Sequence, residues 1–263
     1  MFPHLNDFSD SPFAAIKSDF DRVFRSLLRG DDTTHTDSFV RIHSGLPHPI
    51  ANLVIARSIK NATLMSEAIA PLRSDDHPAG VACLEVIGRD IEAVLTDSGF
   101  QLVEQLTAMG ISLEELATSP PRSGLSLREV EGNEHDEWVN VMSEGYELPR
   151  AFVDRIGPGV VSSIAAPGEQ WRYFIADLDG TPAGTATLVI RDGVVGVYNI
   201  STLPSHRGRG IGAFVTSEPL VLARADGYRT AILQSSEMGL PVYKRIGFSS
   251  FGTFPFYVRS PIE

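Results

Sequence analysis

Two Asp-Gly dipeptides, Asp179-Gly180 and Asp192-Gly193, divide the segment from Trp171 to Ile200 into three runs of strand-forming residues. A two-residue hairpin of this type holds both central residues at positive φ, which glycine and, to a lesser degree, aspartate tolerate. Strands are therefore expected at Trp171–Leu178, Pro182–Ile190 and Val194–Ile200, folded as an antiparallel meander that an all-parallel sheet cannot contain. Downstream, the periodicity predicts a helix from about Gly210 to Asp226, a strand Arg229–Gln234, a short helix Met238–Arg245 and a closing strand Phe248–Val258. Upstream it predicts a strand Leu125–Val130 and helices Glu134–Gly145 and Pro149–Ile164. The expected fold class is α/β (α+β), a mixed, mostly antiparallel sheet flanked by helices.

Between the third strand and the long helix lies His206-Arg207-Gly208-Arg209-Gly210-Ile211-Gly212-Ala213. Glycines let the backbone approach an anion and expose successive N–H groups, and the following helix directs the positive end of its dipole at the same place. Arg207 and Arg209 add positive charge, so the turn is suited to phosphate. It is not a nucleotide triphosphate loop, because no Lys-Ser or Lys-Thr follows the glycines. Gly208-x-Gly210-x-x-Ala213 satisfies the dinucleotide fingerprint, but the acidic residue expected at the end of the next strand is matched only by Glu237, which comes late, and two hairpins precede the turn.

Some 35 residues beyond the turn comes Val242-Tyr243-Lys244-Arg245-Ile246-Gly247-Phe248. Arg207-x-x-Gly210-x-Gly212, followed by this second motif, resembles the acetyl-coenzyme A site of the GNAT N-acetyltransferase superfamily. The resemblance covers Leu125 to about Val258. It implies that Arg207, Gly208, Arg209, Gly210, Ile211 and Gly212 line the cofactor pyrophosphate, and that Ile200, Ser201 and Thr202 pair with the pantetheine arm beside a splayed strand. It also implies that Tyr243 is the general acid that protonates the departing thiolate. A strand N–H near Ile200 or Ser201 would meet the oxyanion. Ser236 stands where many relatives have asparagine, and Gly239 where alanine is frequent, which leaves the contact to the cofactor arm at Ser236 open. The implied reaction is direct attack of a primary amine on acetyl-coenzyme A in a ternary complex, with no metal and no covalent acyl-enzyme. The alternatives are a non-catalytic module binding coenzyme A or a nucleotide and, behind it, an NAD-binding domain.

The first half carries a fainter version of the second. An offset of 148 positions lays Val94–Phe100 on Val242–Phe248 without a gap, and Ala82–Val86 over the strand at Thr230–Gln234. Asn52–Ile59 reads as a strand and Ala62–Leu72 as a helix, in the order found around the glycine turn. An internal repeat follows, and with it a tandem arrangement of two GNAT-like repeats, the C-terminal copy complete and the N-terminal one degenerate. Ser58-Ile59-Lys60-Asn61-Ala62-Thr63 lacks glycine where the second half has its turn, and Leu95 replaces Tyr243. The first copy is thus expected to be structural or substrate-shaping. The expected organisation is a domain at 1–118, a linker at 119–124 marked by Pro120-Pro121 and Ser123-Gly124, and a catalytic domain at 125–263.

The net charge of −11 over 263 residues argues against a nucleic-acid or anionic-membrane partner and mildly favours a cationic acceptor. The acceptor class is a small-molecule or peptide amine. The start of the chain lacks an export pattern, and no apolar run is long enough to span a bilayer, so a cytoplasmic protein is expected. Cys83, the single cysteine, sits among Val81, Ala82 and Leu84 and reads as a buried, inert thiol. His43 and His48 read as loop residues, and His206 as a turn residue within reach of phosphate. The acidic residues Glu131, Glu134, Asp136 and Glu137 complement a helix start that Asn133 would cap. Candidates for the general base are Glu144, Glu147 and Glu237, although each reads more readily as a solvated surface carboxylate. Phe251, Phe254, Phe256 and Tyr257 are expected to pack the last strand, any exposed subset serving as a homodimer surface.

Overall fold

The computed structural model describes residues 11–28, 32–74, 76–117, 123–130, 134–161, 165 and 167–261. In chain order its elements are α1 (Pro12–Leu27), β1 (Thr33–His35), β2 (Phe39–His43), β3 (Asn52–Ala56), α2 (Ala62–Arg73), β4 (Ala79–Cys83), α3 (Arg89–Asp97) and β5 (Gln101–Ser112). There follow β6 (Leu125–Glu129), α4 (His135–Tyr146), α5 (Arg150–Ile156), β7 (Gln170–Leu178), β8 (Thr181–Arg191), β9 (Val194–Thr202), α6 (Ile211–Ala225), β10 (Thr230–Ser235), α7 (Leu240–Ile246) and β11 (Ser249–Arg259). The fold is mixed α/β. Contacts divide the chain into two compact units, one made of residues 1–19 and 108–251, the other of 20–107 and 252–263.

In the 108–251 unit the strands lie in the order β5-β10-β9-β8-β7-β6. β6 to β9 form the antiparallel meander, and β10 adds parallel to β9 through the crossover helix α6. Both hairpins turn as the dipeptides require, with φ of 52° and 77° at Asp179 and Gly180 and 51° and 79° at Asp192 and Gly193. Inward residues of the strands, among them Phe174, Leu188, Val195, Val197 and Leu233, pack with Leu220 of α6 and with Tyr243 and Ile246 of α7. On the other sheet face Ile16 of α1 packs with Ala108 and Ile232, and Trp138 of α4 meets Tyr173 edge-on at 5.1 Å.

In the 20–107 unit β1, β2 and β3 are antiparallel neighbours, β4 runs parallel to β3 through α2, and β11 pairs antiparallel with β4 from Phe256↔Ala82 to Arg259↔Ala79. Its core includes Phe39, Met65, Ile69, Leu72, Leu95 and Phe100, with Tyr257 from the returning strand. Cys83 is fully buried there, and burial pushes its thiol up to about 12. At pH 8 only on the order of one thiol in ten thousand would be ionised. Native protein should therefore resist iodoacetamide at that pH and react fully once denaturant is added, as read by intact mass.

Several boundaries differ from the sequence reading. The helix expected over Pro149–Ile164 stops at Ile156, because Gly157-Pro158-Gly159 cannot continue it; residues 162–164 lie outside the described residues. The first-half strand ends at Cys83 rather than reaching Val86, which is fully exposed, and β3 ends at Ala56 rather than Ile59. Helix α4 begins after Glu134 with no side-chain cap; Asn133 and Glu131 lie outside the described residues, as do 118–122 of the expected linker. His43 closes strand β2 instead of lying in a loop, while His48 caps the short turn at Pro49–Ala51 by accepting from the Ile50 N–H. None of the four aromatic residues of β11 is exposed. Among the described residues no helix is long and apolar enough to cross a membrane, and no cluster of three metal-type ligands occurs.

Candidate functional site

At the start of α6, Gly208 and Gly210 adopt left-handed φ of 76° and 81°, and Gly210 is the N-cap. A glycine cap carries no side chain, so no capping hydrogen bond occupies the first turn of the helix. The N–H groups of that turn remain free to meet an external anion. Helix α2 of the other unit starts differently: Asn61 caps it by accepting from Leu64 N–H at 2.9 Å.

β9 reaches this turn by way of a distortion. Asn199 has φ of 52°, and the β8–β9 register shifts there, so that Thr185 pairs with Ser201 but Thr187 with Tyr198. The extra residue reverses the side-chain alternation. Val197 and Ile200 both pack toward the α6 and α7 core, although strict alternation would put them on opposite faces. Beyond Gly196 the ladder to β10 also ends: the paired residues run only from Thr230↔Val194 to Ile232↔Gly196. β9 and β10 thus part, leaving backbone groups of Ile200 to Thr202 available beside the gap.

A cavity of about 730 Å³ opens there, lined among others by Ile200, Ser201, Thr202, Arg207, Gly208, Gly210, Ile211, Gly212, Ser236 and Tyr243. Its size falls in the range of small-molecule and cofactor sites. Arg209 and His206, placed near phosphate by the sequence reading, are not among its lining residues; His206 instead shares a hydrogen bond with Ser205 at 2.8 Å. Glu144, Glu147 and Glu237 are exposed and do not line it either. Conversely Gly145, Tyr146 and Arg245 do line it without having been singled out as site residues. Gly145 has a readable signal in hindsight, being the one glycine in the helix pattern. A Cβ there would sit 2.8 Å from the Ser201 side chain, so glycine is what lets α4 close onto β9. Arg207 fastens the same corner, donating to the Gly145 carbonyl at 2.9 Å.

Tyr243 projects from α7, a helix terminated by Gly247 at φ 114°. The ring is 9% exposed and packs edge-on to Phe248 at 6.1 Å. A Cβ on Gly239 would lie 2.8 Å from this ring, which explains glycine where alanine is frequent. Ser236 accepts from the Gly239 N–H at 3.2 Å and so helps shape the approach to α7. Burial, and after it the neighbouring Tyr146, holds the Tyr243 phenol well above its ordinary value. Such a group keeps its proton throughout the neutral range and suits an acid.

Residues 142–248 match the profile of the Acetyltransferase (GNAT) family. Glucosamine 6-phosphate N-acetyltransferase of Trypanosoma brucei brucei is 27% identical over 134 residues, covering 46% of this chain and 85% of that protein. The fold is similar to a GCN5-related N-acetyltransferase from Kribbella flavida, at a TM-score of 0.60 and 17% identity over 93% of this chain and 95% of that one. It is also similar to a tandem GNAT protein from the clavulanic acid biosynthesis pathway, at a TM-score of 0.54 and 14% identity over 92% and 88% of the two chains.

Proposed function

We propose that this chain, an acetyltransferase of the GNAT family by its residues 142–248, moves the acetyl group of acetyl-coenzyme A directly onto a primary amine in a ternary complex. The observation that carries the reading is the convergence of an uncapped, glycine-built helix start and a buried phenol on one cavity. The turn from Arg207 to Gly212 holds the pyrophosphate. The pantetheine arm lies along Ile200, Ser201 and Thr202 as an added strand. The amine attacks the thioester carbonyl, a strand N–H near Ile200 stabilises the oxyanion, and Tyr243 protonates the sulfur as it leaves. The 20–107 unit binds no cofactor at its matching position, since Asn61 occupies the helix start and Leu95 is buried in the core.

Acetyl-coenzyme A should raise the melting temperature of the wild type, as any ligand selective for the native state does. Arg207→Ala removes a charge-assisted contact, and its acetyl-coenzyme A dissociation constant should rise about tenfold, the equivalent of about 1.4 kcal/mol. The reading is tested by an amine screen that follows free thiol release. Glucosamine 6-phosphate, the substrate named for the Trypanosoma relative, leads the panel beside amino acids, polyamines and peptide N-termini. Absence of both thermal shift and thiol release with every amine would sink it.

A further inference from the structure

Two side chains bring exposed apolar surface into the cavity beside Tyr243. Tyr146, the last residue of α4, is 40% exposed, and Met238, in the turn before α7, is 76% exposed, yet both line the cavity. Tyr243 itself is 9% exposed, so its ring has little surface to offer an incoming molecule. The acid is hidden and the apolar rim is open.

The backbone holds Tyr146 in place although its side chain meets solvent. On one side Arg207 donates to the Gly145 carbonyl at 2.9 Å. On the other, Glu147 takes φ 56° and ψ 30°, a left-handed conformation unfavourable for a residue with a Cβ. The buried Leu148 then donates its N–H to the Ser143 carbonyl at 2.9 Å. A left-handed residue followed by such a bond ends a helix at once, so the chain turns away directly after Tyr146 and leaves the ring at the tip of α4. A ring on so fixed a backbone loses little freedom when a ligand covers it.

Tyr243 locates this ring relative to the chemistry. Burial first, and then Tyr146, holds the Tyr243 phenol above its ordinary value, so the two phenols are neighbours at the thioester end of the cavity. The turn from Arg207 to Gly212 and the strand from Ile200 to Thr202 are taken up by the cofactor, which leaves Tyr146 as the aromatic wall beside the acid. The charged residues of the lining are Arg207 and Arg245. Two guanidinium groups oppose a second positive charge on the acceptor, against the cationic preference that the net charge suggests.

We infer, resting on the acetyl-transfer reading above, that Tyr146 receives the acceptor, and that this acceptor is a primary amine on an apolar body. The class is an arylalkyl or alkyl amine with no second positive charge, its carbon skeleton laid on the face of the Tyr146 ring and its nitrogen directed at the thioester carbon. Tyr146 forms and breaks no bond in the reaction. It decides which amines come to rest beside Tyr243, and it does so with its ring face and not its hydroxyl.

The test follows thiol release by the full chain with phenethylamine, ethanolamine, spermidine and glucosamine 6-phosphate as acceptors. Phenethylamine should be used with a kcat/KM at least about tenfold above that of ethanolamine, a primary amine of comparable basicity without the apolar body. Tyr146→Ala should raise the KM for phenethylamine about tenfold, with kcat and the affinity for acetyl-coenzyme A unchanged. Tyr146→Phe, which keeps the ring, should retain the wild-type KM. A preference for ethanolamine, spermidine or glucosamine 6-phosphate over phenethylamine would overturn the inference. So would an equal loss in Tyr146→Phe and Tyr146→Ala, which would assign the effect to the hydroxyl, or a weaker hold on acetyl-coenzyme A in Tyr146→Ala, which would assign the ring to the cofactor. Each of these results leaves the acetyl-transfer reading intact. Absence of thiol release with every amine, together with no thermal shift by acetyl-coenzyme A, would overturn both.

Discussion

Tyr243→Phe should lower turnover by about a hundredfold or more while acetyl-coenzyme A still binds with wild-type affinity. The substitution removes one oxygen and leaves the ring, which packs against Phe248 and fills the space that Gly239 leaves open. The helix and its glycine terminus are untouched, so the melting temperature should hardly move. Only collapse of the tetrahedral intermediate is impaired, because the thiolate must then leave unprotonated or wait for water. Steady-state thiol release measures the loss, and calorimetric titration with acetyl-coenzyme A verifies that binding survives. Turnover within threefold of wild type would remove Tyr243 from the chemistry.

The largest stability effect is expected at Arg259→Ala. This guanidinium is 4% exposed and donates to the carbonyls of Leu72 at 2.5 Å and His77 at 3.0 Å, closing the C-terminal end of α2. Truncation strands two buried acceptors, each worth about 1 to 3 kcal/mol, so the 20–107 unit should lose about 3 kcal/mol. Both tryptophans, Trp138 and Trp171, belong to the other unit. In a denaturant titration the far-ultraviolet dichroism of the variant should therefore begin to fall before tryptophan fluorescence changes. Coincident transitions at the wild-type midpoint would show that the arginine is dispensable.

The parts of this structure legible in the sequence are those fixed by local backbone chemistry. Asp179-Gly180 and Asp192-Gly193 form the expected hairpins because few residues accept positive φ, and Gly208 and Gly210 announce the phosphate-type turn for the same reason. What escaped depends on distant partners. Helix α1 repeats Phe13, Ile16, Phe20, Val23 and Leu27 at helical spacing, but the burial of Asp19 within it cannot be read without knowing that Tyr198 lies beneath. β5 shows only partial alternation, its first residues exposed and its later ones buried, so no single period describes it. The distortion at Asn199 is invisible for a related reason. It consists of a positive φ and a register shift against β8, and it decides which side of the sheet Ile200 faces. Gly145 and Tyr146 joined the cavity through a tertiary contact, Arg207 with the Gly145 carbonyl, that spacing along the chain does not reveal.

The strand that completes the 20–107 unit is β11, whose residues Phe256–Arg259 pair with β4. During synthesis the nascent chain exposes α2, β3 and β4 long before their remaining neighbour has been translated. One edge of that sheet must therefore stay open on the ribosome until Arg259 clears the exit tunnel. Completion of this unit ahead of the one that follows it in the chain is therefore closed, and an unpaired edge held open for that time is where chaperone binding or misassembly would concentrate.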